Sequence, residues 1–248
     1  MLIGNIINLL ITFSTYIIFW WVLITSANGL LPGNISNWTM GEALVLLGYA
    51  EFAFSLYSVS FFGTVTLSDK IAEEGIENDL VRPIDPLFLI LARETQPIEG
   101  VSGLILSLFL IFGSIFYFQL GFSLIGFLFS LVILFFANLV FGYISIIFIV
   151  GAFWFGKMDT LDKILSRVYV KFIRIPLNIF NFSIIIFFIF IYPLFYLATF
   201  PSLLTLGLIS YPDMFFLTLL LFLLLIIWDK FCRFLWNKGL ENYQTVNG

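Results

Sequence analysis

The feature that most constrains this chain is a series of six apolar runs, each long enough to cross a bilayer. A helix needs about 20 apolar residues to cross a hydrocarbon core about 30 Å thick. Hydrophobic residues make up 61% of the 248 residues and charged residues only 10%, whereas a soluble domain carries roughly 25% charged residues. We therefore predict an all-α integral membrane protein that forms one transmembrane domain over residues 1–248. The predicted spans are at about 3–26, 40–67, 101–118, 122–154, 177–199 and 214–235.

The distribution of basic residues orients these spans. The chain has 11 Lys and Arg residues, and all of them follow the second or the fourth run or lie at or after the end of the sixth. Because basic residues stay on the cytoplasmic side, six spans with both termini in the cytoplasm account for every one of them. The fourth run is too long for one untilted span. We nevertheless predict one long helix, since splitting it would move the basic residues that follow to the outside.

The longest polar interruption is the loop at residues 68–100, which carries several carboxylates and three prolines. We predict a short helix over Ile71–Leu80 that ends before Pro83, because proline lacks an N–H group and disfavours a helical residue before it. Asp85 followed by Pro86 is typical of a helix start, with a capping carboxylate and proline in the first turn. Two short helices joined at a rigid corner form a surface on which a partner can dock.

A second polar segment, residues 157–174, has the period of an amphipathic helix. Its apolar face consists of Met158, Leu161, Leu165, Val168 and Phe172, and its basic face consists of Lys163, Arg167, Lys171 and Arg174. Such a helix is expected at the cytoplasmic membrane interface, with its basic face against anionic lipid headgroups or against an acidic partner. The residues leave both alternatives open.

Two further positions stand out within the apolar runs. Pro193 interrupts the fifth run, and proline and glycine recur over residues 200–213, so we expect a partly re-entrant outer segment whose backbone is satisfied by protein or water. Glu51 lies well inside the second run, where an ionisable group costs roughly 2.5–3.5 kcal/mol and must face protein or water. It either bonds to a neighbouring span or provides a polar point on a transport path.

Several chemistries are excluded by what the sequence lacks. It has no G-x-x-x-x-G-K-[ST] loop to hold a nucleotide phosphate, no histidine, and a single cysteine, Cys232. No span carries a pair of carboxylates that both lie deep within it. We therefore expect no catalytic residue, no metal site and no cofactor in this chain, and no nucleic-acid partner.

Parts of the sequence resemble the ABC type-2 permeases, the membrane half of ATP-driven exporters. The loop after the second run is similar to their I-E-N-x-L-x-R-P-I motif, matched by Ile76, Glu77, Asn78, Leu80, Arg82, Pro83 and Ile84. The ends of the fifth run and the C-terminal tail are similar as well, through Ile175, Pro176, Ile179, Phe180, Tyr192, Pro193, Phe200, Pro201, Trp236, Gly239, Leu240 and Tyr243. The resemblance extends from the second run to the C-terminus.

This resemblance implies the permease subunit of an exporter in the plasma membrane, paired with a second permease copy or a related paralogue. Two ATPase subunits would bind ATP and Mg²⁺ and would dock on the first cytoplasmic loop, which acts as the coupling element. The coupling residues would be Ile76, Glu77, Asn78, Asp79, Leu80, Arg82, Pro83, Ile84 and Asp85. Glu51 would lie on a path lined by the second and fifth spans, and Lys163, Arg167 and Lys171 would make a second ATPase contact or bind lipid.

Two other classes of protein are considered. A membrane-embedded enzyme acting on lipid-linked substrates needs acids or histidines at the membrane face, and these are sparse. An ion-coupled carrier needs several ionisable groups within the membrane and usually has internal repeats. Neither feature is evident in this sequence.

Overall fold

The computed structural model describes residues 11, 14–22, 24–25 and 38–243, without the side chains of Glu74, Glu99, Asp159, Thr160, Asp162 and Lys163. In this part of the chain all regular secondary structure is helical. The α-helices are α1 (Met40–Ser60), α2 (Thr64–Asp69), α3 (Glu77–Leu80), α4 (Pro86–Arg93), α5 (Pro97–Tyr117), α6 (Leu124–Val150), α7 (Ala152–Phe155), α8 (Asp159–Phe172), α9 (Phe182–Ile186), α10 (Thr199–Thr205) and α11 (Tyr211–Asn242). Lys70–Glu74 and Phe187–Ile191 are π-helical turns, and Leu177–Ile179 and Leu194–Tyr196 are 3₁₀ turns.

Four continuous helices within the described residues are long and apolar enough to cross a membrane: Met40–Ser60, Gly100–Tyr117, Leu124–Phe155 and Tyr211–Asn242. They correspond to the second, third, fourth and sixth predicted spans. The fourth is a single helical stretch of 32 residues, as predicted, rather than two shorter spans. Half of the first predicted span lies outside the described residues, although residues 14–22 are helical.

The fifth predicted span, Leu177–Thr199, is not one straight helix. Phe182–Ile191 and Leu194–Thr205 meet at an angle of 83° at Tyr192 and Pro193, where proline cannot continue the helical hydrogen bonding. The described residues therefore contain four candidate spans, or five if this bent pair is counted as one. A count of six is not reached in the described part of the chain.

The long helices pack closely where glycine replaces a side chain. Helix α1 packs mainly on α5, and α6 packs on α1, α10 and α11. A Cβ atom at Gly48 would lie 2.7 Å from Ile111, and one at Gly142 would lie 2.4 Å from the ring of Phe61. Small residues allow helix axes to approach in this way in membrane proteins.

The buried side chains form two clusters at different depths of the bundle. The larger cluster joins α1, α5, α6 and α10. The smaller one joins the loop that follows α1 to the ends of α6 and α11, through Phe61, Leu67, Ile71, Ile76, Ile90, Leu91, Ile146, Ile149, Val150, Ala152, Cys232 and Trp236. We call this end of the bundle the loop end. At the opposite end, which we call the far end, the backbone N–H of Ser123 donates to the carbonyl of Thr205.

Candidate functional site

The polar loop begins differently from its sequence prediction. The predicted helix over Ile71–Leu80 is wrong as one element, because Gly75 adopts a φ of +86° and separates the π-helical turn Lys70–Glu74 from α3. A left-handed φ of this kind favours glycine. Ile71 and Ile76 are buried on the two sides of this break, whereas Leu80 is exposed.

Residues 81–85, which we call the corner, project from the loop end. Helix α3 ends at Leu80, and Asp85 accepts a hydrogen bond of 2.9 Å from the backbone N–H of Phe88 at the start of α4. This cap and the proline at the first turn of α4 agree with the prediction. Val81 is 83% exposed and Phe88 64% exposed. The corner thus presents apolar side chains to the surroundings on a backbone held by a helix on each side.

Among the charged residues of the loop, Arg82 differs from Glu77 and Asp79. Asp79 is buried and pairs with Arg93 at 2.6 Å, and Glu77 accepts a hydrogen bond from Tyr243. The exposed Arg82 side chain forms no hydrogen bond or ion pair with any described residue. Glu77 and Asp79 therefore stabilise the conformation of the loop, whereas Arg82 is available to a partner.

The C-terminal tail reaches this loop, a contact that the sequence analysis did not predict. The Tyr243 hydroxyl accepts from the backbone N–H of Ile76 at 3.0 Å and donates to Oε1 of Glu77 at 2.9 Å. Burial of the ring, together with the Glu77 carboxylate, raises the pKa of Tyr243 above its usual value. A phenol is protonated at neutral pH even at its usual pKa, so the hydroxyl is able to donate to Glu77.

The segment between α6 and α8 is tied to the same end. Lys157 lies 2.8 Å from Asp69 and 3.4 Å from Glu73, and the backbone N–H of Met158 donates to the Ser68 hydroxyl at 2.8 Å. The three polar segments that carry most of the basic residues thus meet at one end of the bundle. Arg174 is an exception, because it lies beside Glu51 within α1, and the orientation of the spans stays a prediction.

Helix α8 lies in the segment where the amphipathic pattern predicted a helix. Its axis runs back along α2 and α1. Its start lies beside Ser68, and the ring of Tyr169 lies 6.3 Å from that of Tyr57. Arg174, just after the helix, reaches Glu51. These three contacts define an antiparallel path from the loop end toward the middle of α1. The interfacial position of this helix stays a prediction.

The predicted basic face of α8 is only partly present. Arg167 and Lys171 are exposed, and the side chain of Lys163 lies outside the described residues. Arg174 does not share this face, because the helix ends at Phe172. The signal that could have revealed this is Pro176, two residues further on, which prevents Arg174 from being an interior helical residue.

Glu51 is buried in the middle of α1 and faces a charge. Its Oε2 lies 3.9 Å from Nη2 of Arg174, and the two side chains are only 7% and 13% exposed, respectively. The guanidinium also lies 4.7 Å from the ring centroid of Tyr16 and 3.4 Å from its hydroxyl. Glu51 thus joins α1 to the end of α8 and to residues 14–22. Its role on a transport path stays a prediction.

Two other features bear on chemistry. No group of three or more Asp, Glu or Cys residues able to hold a metal ion is found among the described residues. A cavity of about 730 Å³ lies at the loop end between α4, α6 and α11, lined among others by Asp85, Phe88, Tyr143, Arg233 and Trp236. Packing between α4 and α11 is therefore incomplete.

These observations define the class of the protein. It is an α-helical membrane protein with a protruding, partly apolar corner at one end of its bundle. The family follows from comparison, since the model of the family described as ABC-2 family transporter protein matches residues 10–246. The chain belongs to this family. Members are in general non-catalytic membrane components that typically partner with ATPase subunits. No curated protein and no solved structure shows a significant match to the chain.

Proposed function

We propose that this chain is the permease subunit of an ABC exporter in the plasma membrane and that the corner is its docking element for a cytoplasmic ATPase. The observation that carries the proposal is the exposure of Arg82 and its apolar neighbours at a loop that the family motif also singles out. In this arrangement the loop end is cytoplasmic. The pathway forms between two permease copies, either identical or paralogous.

The chemistry of the corner suits a groove on a folded partner. Val81, Ile84 and Phe88 supply exposed apolar surface, and burial of such surface is the dominant favourable term in most protein association. Arg82 supplies a guanidinium that can form a bidentate, charge-assisted hydrogen bond with a carboxylate. A complementary ATPase surface is therefore an apolar groove with an acidic residue at its rim.

ATP and Mg²⁺ belong to the partner in this proposal. ATP binding draws two ATPase subunits together, and the corners seated on them move with them. Because α1 is connected to the loop through α2, and α5 follows it directly, this movement changes the tilt of both helices. Arg167 and Lys171 remain available for lipid headgroups or for a second contact with the ATPase.

Glu51 contributes to transport only if its pair with Arg174 opens during the cycle. In the single chain the carboxylate is 5% exposed and already has a cationic partner. An ion-coupled carrier requires the same opening but lacks support from a second buried carboxylate within the described spans. The exporter is accordingly the function that we propose.

The docking proposal is tested by copurification. The tagged chain should retain an ATPase that contains a nucleotide-binding phosphate loop, and Arg82→Glu should abolish retention, because it places a carboxylate against the acidic residue of the groove. Arg82→Ala should weaken it. The matched control is Lys230→Glu, the same charge change at an exposed site on α11. Equal ATPase retention by the Arg82→Glu variant and wild type would refute docking at the corner.

A further inference from the structure

The contact between Tyr243 and the loop has a consequence for how movement spreads through the bundle. The loop is joined through the chain to α1 and α5 only, and α11 has no such connection to it. We propose that Tyr243 couples α11 mechanically to the corner. A displacement of α3 would then move α11 as well as α1 and α5. This inference rests on the proposed function.

The first argument is that Tyr243 supplies a bond that α3 cannot make for itself. Helix α3 has four residues, and its N-cap residue, Ile76, has no side-chain capping bond. The first N–H groups of a helix have no partner within it. The Tyr243 hydroxyl accepts from the Ile76 N–H and donates to the Glu77 carboxylate, so it holds the start of α3 from outside.

The second argument is that Tyr243 is itself fixed to α11 and α7. Its ring meets that of Phe153 edge-on, with centroids 5.9 Å apart, and Phe153 meets Trp236 at 5.5 Å. Gly239 makes this close approach possible, since a Cβ atom there would lie 2.2 Å from Phe153. The tyrosine is thus the end of a packed aromatic stack rather than a loose tail.

The third argument concerns the alternative route between the loop and α11. The cavity of about 730 Å³ separates much of α4 from α11, so in the described part of the chain these helices meet only through the buried cluster that contains Ile90, Leu91 and Trp236. The route through α4 is therefore less rigid. The bridge at Tyr243 enters α3 directly before the corner, because α3 spans only about 6 Å at 1.5 Å per residue.

The matched variants are Tyr243→Phe, which keeps the ring and removes the hydroxyl, and Lys238→Ala. Lys238 lies on the same part of α11 but pairs with Glu241 at the surface, at 2.7 Å. In the purified permease, hydrogen exchange at the Ile76 amide should rise about fivefold in Tyr243→Phe, the effect of losing one net hydrogen bond. It should be unchanged in Lys238→Ala. Equal exchange in wild type and Tyr243→Phe would overturn the bridge.

Transmission is tested in the complex with its ATPase by spin labels at exposed far-end positions. One pair, Tyr117 and Ile125, reports α5 against α6, and the other, Tyr211 and Ile125, reports α11 against α6. ATP with vanadate should change both distances in wild type and in Lys238→Ala. In Tyr243→Phe the α5 change should persist and the α11 change should fall by at least half. A full α11 change in Tyr243→Phe would refute transmission. If neither distance changes in wild type, the proposed coupling function is refuted. The hydrogen-exchange measurement would still show whether Tyr243 bonds to the Ile76 amide.

Discussion

The buried pair of Glu51 and Arg174 allows a quantitative prediction. At the 3.9 Å separation, two unit charges attract by about 4 kcal/mol at an effective dielectric constant near 20. Much of this attraction offsets the cost of removing both charges from water. Removing one partner of a buried pair, however, leaves the other charge uncompensated and typically costs about 3–5 kcal/mol.

We therefore expect Glu51→Leu to lower the free energy of unfolding by about 3 kcal/mol, toward the low end because Tyr16 still contacts the guanidinium. A lost intramembrane hydrogen bond alone would cost only about 0.6–2 kcal/mol. Glu51→Gln should fall between these cases, since the amide keeps the size but not the charge. The double variant Glu51→Leu with Arg174→Met should recover most of the loss, because neither charge remains.

The assay is a double-mutant cycle on the purified permease in detergent, with unfolding followed by denaturant titration. The coupling free energy should be at least about 1.5 kcal/mol. Lys171→Leu is the control, because it removes an exposed cation from the end of α8. If the two single losses simply add in the double variant, the charges do not stabilise one another and the reasoning fails.

The remaining predictions concern topology and packing. In intact cells a membrane-impermeant thiol reagent should modify a cysteine placed at Ser210 but not one at Ser166 or Asn242, while buried Cys232 stays unlabelled; labelling at Ser166 would contradict the proposed orientation. Gly142→Ala should lower stability by roughly 1–3 kcal/mol through overpacking against the Phe61 ring, measured by thermal unfolding, whereas a gain would show that the ring yields.

Part of this fold could be predicted from the sequence because its causes are local. Four of the predicted spans are continuous helices, because lipid offers the backbone no hydrogen-bond partner outside its own segment. The cap of Asp85 on α4 and the single long helix over residues 124–155 have the same kind of cause. The exposed corner also follows locally, because Pro83 ends one helix and Pro86 begins the next.

Contacts between distant residues could not be predicted in this way. Glu77 and Tyr243 lie 166 residues apart, and neither the helical period nor the spacing of charges indicates that they meet. The helical period placed Arg174 on a basic surface, whereas tertiary structure brings it to Glu51, because a buried carboxylate in a membrane span needs a partner from another segment.

The sequence by itself determined that the protein is a helical membrane protein with a proline-bounded corner between two spans. Tertiary structure decided the path of α8 along α1 and the attachment of α11 to the loop. The physical reason is that the first set depends on hydrophobicity and backbone geometry within a few turns. The second depends on which buried polar groups find one another once the helices have packed.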